Sequence, residues 1–197
     1  MKGLCQVALK EWSVVVRALG EGRQLLLFRK GGIREEGREF KVEENEFFFF
    51  PTFEHQQTEG LQEEFRSWLS GLPQKTPETL QIDLYATVER VFHISSPELA
   101  YSLRPYHIYS DKQLLERFQY KPTKPLYVLL LKVFRIPAIS LPNLPAYAGC
   151  TSWVRLESVL STAQAVPILP EEVFRKKVAE IEQVTAAETP TARRRGG

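Results

Sequence analysis

The chain has 197 residues, 43% of them hydrophobic, and its 26 Lys and Arg against 24 Asp and Glu leave a net charge of +2. One sizeable core is expected, with no global field to draw nucleic acid or anionic lipid, so any anion site must be local. Cys5 and Cys150 lie far apart outside any C-x-x-C pair, and the longest apolar stretch, Leu126 to Val133, is too short to span a bilayer. These features argue against a disulfide framework, a thiolate-bound zinc and a membrane span, and they fit a reducing cytoplasm.

Leu4, Ala8, Trp12, Val15 and Leu19 recur at helical steps and predict an opening helix stopped by Gly20. Gln24 to Lys30 reads as a short strand, and Gly31 to Gly37 as a loop. Phe40 and Val42, then Phe47 to Phe50 ending at Pro51, predict a hairpin or two successive strands. A second helix is expected from Leu61 to Leu72, capped by Thr58. Leu80, Ile82, Leu84, Ala86 and Val88 alternate with polar residues as in a half-buried strand. Ser96-Pro97 and Ser110-Asp111 signal the starts of two short helices. Leu126 to Ile136, apolar on both faces, predicts a central strand. The prolines at 137, 142 and 145 predict an irregular segment, Ser152 to Leu156 a last strand, and Pro170 onward a final helix.

The sum is an α+β fold with a mixed or mainly antiparallel sheet, or a small barrel, flanked by helices. Residues 1–185 are expected to form a single compact domain and residues 186–197 a disordered basic tail.

Arg29-Lys30-Gly31-Gly32-Ile33-Arg34 joins three cations to two glycines that can expose backbone amides, which suits a phosphate or carboxylate. It lacks the ending of a P-loop and the G-x-G-x-x-G spacing, and a solvated turn balanced by Glu35 and Glu36 is the competing reading. Thr52, Glu54, His55 and Gln56 follow a strand end, where binding groups gather, although a polar turn would use the same residues. Arg104 and His107, flanked by Tyr101, Tyr106 and Tyr109, mix planar rings with a cation as a nucleotide site does; a helix boundary covered by tyrosines is the plainer account. None of the three histidines forms a metal-spaced pair and no G-x-S-x-G is present, so neither a metal nor another cofactor is expected.

Ala8-Leu9-Lys10-Glu11-Trp12, Leu26 through Glu35 and Phe48-Phe49-Phe50-Pro51-Thr52-Phe53-Glu54-His55-Gln56 together resemble a bacterial domain-of-unknown-function family, number 1802. The resemblance continues through Arg104-Pro105-Tyr106-His107, Arg117-Phe118, Leu126 to Arg135 and Gly149-Cys150-Thr151-Ser152-Trp153-Val154, and covers roughly residues 4 to 180. It implies no activity and no catalytic residues. Through relatives joined to restriction-endonuclease-like domains it implies a nucleic-acid setting and a restriction-type nuclease partner. A looser analogy of fold is to small β-barrel RNA-binding domains of the pseudouridine-synthase-associated type; Gly22 to Arg29 departs from their pattern in lacking the acidic residue and displacing the arginine.

These readings converge on a noncatalytic module for an anionic ligand such as nucleic acid or a nucleotide, held by Arg29, Lys30, Gly31, Gly32, Arg34, Thr52, His55, Gln56, Arg104 and His107. An enzyme using Glu54, His55 and His107 as acid-base groups, and an assembly subunit with an exposed Phe47 to Phe53 patch, are the rivals.

Overall fold

The computed structural model describes residues 3–30, 33–36, 39–149 and 151–187. Strand β1 (Leu4–Trp12) runs directly into helix α1 (Ser13–Gly20) and then β2 (Leu26–Arg29). A two-stranded hairpin follows, β3 (Ile33–Glu36) with β4 (Glu39–Val42), then β5 (Glu46–Thr52) and the long β6 (Thr79–Ile94). Two short helices, α2 (Pro97–Ser102) and α3 (Asp111–Gln119), precede β7 (Leu126–Pro142), β8 (Trp153–Ser161), β9 (Val166–Pro167) and α4 (Glu171–Ala187).

The main sheet has the order β2-β7-β6-β5-β1-β8, with β9 beside β7. Its β1–β5 pair is parallel and the other pairs are antiparallel. The expected α+β class and mainly antiparallel sheet are therefore present, in the open form, with β2 and β8 at the ends of the ladder. One face of the sheet packs on the helices through Leu9, Val15, Phe47, Phe49, Val128 and Ile181. The opposite face gathers Ala8, Phe48, Phe50, Tyr85, Phe134 and Leu156 into a second cluster. Burial of Phe47 to Phe50 removes the exposed aromatic patch that an assembly surface there would need.

The opening segment corrects the first helix prediction, since only Ser13–Gly20 is helical. Leu4, Ala8 and Trp12 are spaced by even steps, so the pattern also fits a strand, and Ala8 and Leu9 are buried on opposite faces between β5 and β8. The expected second helix is two 3-10 turns, Thr58–Gly60 and Glu63–Leu69, separated by an extended Leu61 that bridges to Tyr109. Ile33 to Glu36, expected in a loop, is a strand of the hairpin; Gly31, Gly32 and Gly37 lie outside the described residues.

The proline-marked segment also differs, because β7 continues through Pro137 to Pro142. Between the pairs Leu84–Arg135 and Ile82–Ile139 the ladder shifts register, which seats Pro137 in a bulge where no ladder donor is required. The first half of β7 is buried on both faces between β2 and β6, as its composition predicts. Ser96 and Ser110 cap α2 and α3, accepting from Leu99 N and Gln113 N at 3.3 and 3.2 Å. Helix α4 extends to Ala187, two residues into the expected tail, and residues 188–197 lie outside the described residues.

Candidate anion-binding site

Strands β1 and β5 are parallel, so their carboxyl ends lie side by side, with Lys10, Glu11 and Trp12 opposite Phe50, Pro51 and Thr52. Such ends leave side chains at a sheet rim without a further strand to cover them, a common place for ligands. Here they open on a cleft of about 680 Å³, whose wall also includes Arg29 from the end of β2, Arg117 from α3, His55 and Ser152.

The end of β2 is tied to the last turn of α3 by two reciprocal contacts. Arg117 Nη1 donates to the Phe28 carbonyl at 2.8 Å, and Lys30 Nζ donates to the Phe118 carbonyl. Lys30 thus satisfies a helix-end carbonyl and complements the negative end of α3. Arg29, between these two ties, is held over the cleft with 16% of its side chain exposed, its Nη1 4.0 Å from Glu11 Oε2. Glu11 itself is 5% exposed and accepts from the Trp12 amide at 3.0 Å, while Thr52 Oγ1 donates to the Glu11 carbonyl at 3.2 Å.

The guanidinium of Arg117 lies 4.8 Å from the centre of the Tyr109 ring, in cation-π geometry. Its Nε is buried and, among the described residues, has no hydrogen-bond partner. Burial pushes the Arg29 guanidinium below its ordinary range, Glu11 opposes that shift and Arg117 adds to it. Burial likewise pushes the Tyr109 phenol up, with Glu11 acting in the same direction. Two guanidiniums therefore line one half-dry cleft, with the Glu11 carboxylate beside Arg29. Lys10 adds a third cation at the rim, its Nζ donating to the Gly149 carbonyl at 3.0 Å.

Glu54, the other carboxylate of the cleft, is already engaged. Thr76 donates to it through its amide at 2.7 Å and its hydroxyl at 2.6 Å. Burial pushes this carboxyl up, and the hydrogen bonds from Thr76 outweigh burial and hold it down at about 2. His55 stands at the exposed edge with a positive φ of 61°.

Of the residues singled out in the sequence, Arg29, Thr52, Glu54 and His55 share this cleft. Gln56 turns away from it: its Oε1 accepts from Val14 N at 3.1 Å and Ser13 Oγ at 3.2 Å, which makes it the N-terminal cap of α1. Arg34 sits in β3 opposite Lys41. Arg104 and His107 line a different cavity of about 330 Å³ with Arg23 and Lys177, where Arg104 pairs with Asp111. His107 is buried edge-on to Phe28, and burial pushes its imidazole down to about 4, partly opposed by the Ala100 carbonyl. Lys10, Glu11 and Arg117 belong to segments that carry the family resemblance but were not marked as site residues in the sequence. Arg117 was recoverable from α3, where Gln113, Glu116, Arg117 and Tyr120 form a polar stripe at helical spacing.

Residues 8–180 match the family described as a domain of unknown function, DUF1802. The chain belongs to this family. No curated protein matches it. Among solved structures, a Tyr-to-Phe mutant of the ASCH protein from Zymomonas mobilis is 15% identical, with 88% of this chain and 96% of that chain covered at a TM-score of 0.42. A Ser-to-Ala mutant of the same protein is 13% identical, with coverage of 88% and 94% and a TM-score of 0.41. The unmutated ASCH structure gives 14%, 88% and 93%, and 0.40. None of these similarities points to a restriction-type nuclease partner.

Proposed function

We propose that this DUF1802 domain is a noncatalytic binding module that holds the anionic group of a nucleotide or nucleic acid at the rim formed by β1, β2 and β5. The observation that carries the reading is a buried donor left over beside a concentration of positive charge: Arg29 and Arg117 line one cleft, Arg29 is paired with Glu11, and the buried Arg117 Nε has no hydrogen-bond partner among the described residues. A phosphate or carboxylate oxygen supplies the missing acceptor and the missing negative charge, and planar guanidiniums are the donors best shaped for it. Ser152 and His55 at the same wall add further polar groups. A cytoplasmic setting belongs to the same proposal and rests on the two cysteines of the sequence, which lie far apart and outside any C-x-x-C pair.

The acid-base alternative finds less support. Glu54 is held as a carboxylate by Thr76, and His107 lines a different cavity from His55, so the three groups do not face one substrate.

The test is fluorescence anisotropy with a labelled single-stranded oligonucleotide over a range of salt concentrations. Arg117→Met should weaken binding and lower the salt slope by about one ion per phosphate contact removed. Arg104→Ala, in the separate cavity, should leave both unchanged. Equal losses in the two folded variants, or none with Arg117→Met, would overturn the assignment.

A further inference from the structure

The anion cleft has a neighbour. A second cavity of about 430 Å³ lies between the end of β2, α3 and the start of β7, and Arg29, Arg117 and Ser152 line both spaces. The two cavities differ in chemistry. The first is rimmed by Lys10, Glu11, Thr52 and His55, whereas the second is floored by Phe28 and Leu126 and walled by the α3 stripe of Gln113, Glu116 and Tyr120. Its volume falls within the ~300–1,000 Å³ typical of small-molecule sites.

Tyr120 is the telling residue. It closes α3 and is 60% exposed, although a ring of that size would remove more apolar area from water by folding onto the core. Lys121 Nζ lies 4.9 Å from its ring centre, and Lys121 itself holds a φ of 48°, a conformation that side-chain-bearing residues seldom adopt. An exposed ring with a cation beside it, at the edge of an apolar-floored cavity, is a platform for stacking a planar group. Glu116, one turn before Tyr120, places a carboxylate on the same wall, and its partner among the described residues is the exposed Lys112 at 3.9 Å.

A ligand spanning both spaces must be anionic at one end and planar at the other, with the two parts joined near Arg29 and Arg117. Resting on the anion reading above, we infer that the second cavity receives the base of a nucleotide unit whose phosphate occupies the first. The base stacks on Tyr120. Glu116 accepts hydrogen bonds from its edge, favouring bases that present N–H donors. The unit is either a free mononucleotide or one residue of a single-stranded chain, since both carry the same phosphate, sugar and base.

Calorimetry on the full chain separates these ideas, using inorganic phosphate, ribose 5-phosphate, the four 5′-mononucleotides and a tetranucleotide. At least one mononucleotide should bind about tenfold more tightly than ribose 5-phosphate, the scale of one stacked base. Tyr120→Ala, at an exposed position, should bring the mononucleotide down to the level of ribose 5-phosphate without changing phosphate binding. A tetranucleotide that binds far more tightly than any mononucleotide identifies the chain as the source, and equal or weaker binding identifies the free nucleotide. If ribose 5-phosphate binds as well as every mononucleotide, or Tyr120→Ala changes nothing, the base site is overturned while the anion site stands. If no phosphate compound binds, both fall.

Discussion

Glu11 serves the fold and opposes the ligand. Its carboxylate stands against Arg29 with both groups mostly buried, so it stabilises a guanidinium that would otherwise lack a counter-charge, while it offsets part of the positive charge available to an anion. Glu11→Gln should therefore lower stability in urea denaturation by about 1–3 kcal/mol, less than a fully dry pair would lose, and tighten phosphate binding several-fold. His107 offers a second residue-scale test, through pH. Its imidazole is pushed down to about 4 by burial, whereas an unfolded chain takes up that proton near pH ~6.5. The unfolded state thus binds more protons as pH falls from about 6.5 to 4, and stability falls across that window and levels off below it. A folded His107→Gln variant should lack this contribution, so the stability gap between parent and variant should narrow over the same window in thermal melts followed by circular dichroism.

At the scale of elements, the parts governed by local chemistry were legible and the parts governed by packing were not. Ser96 and Ser110 announced α2 and α3 because an N-cap acts within three residues. The end of α1 at Gly20 was legible, but its beginning was not: Trp12 provides no side-chain cap, and the cap comes from Gln56, 42 residues from the amide it accepts. Gln56→Ala should consequently cost about 1 kcal/mol in denaturant unfolding, the usual value for a lost cap. The strand identity of β1 was hidden because even spacing satisfies both periods, and the choice is made by neighbours that arrive much later in the chain. Pro137 misled for the opposite reason, since a bulge removes the demand for the donor that proline lacks.

For the whole molecule, the sequence marked Arg29, Thr52 and His55 as candidates, but their meeting with Lys10, Glu11 and Arg117 depends on three strands and a helix being brought together by the fold. No spacing within one segment encodes that meeting. The segment beyond Ala187 carries few apolar groups, and a chain ending there should keep the parent's melting temperature and phosphate affinity. The pairing of β1 has one more consequence. Leu4 opposes Ser161, and Ala8 opposes both Phe48 and Val154, so β1 sits between two partners made at very different times. As the nascent chain leaves the ribosome, β1 can gain its parallel neighbour once residue 52 has emerged, yet its other edge stays open until residue 161 has followed. Between those two points the chain carries an unpaired edge of the kind that captures stray strands, and that interval is when a chaperone has most to shield.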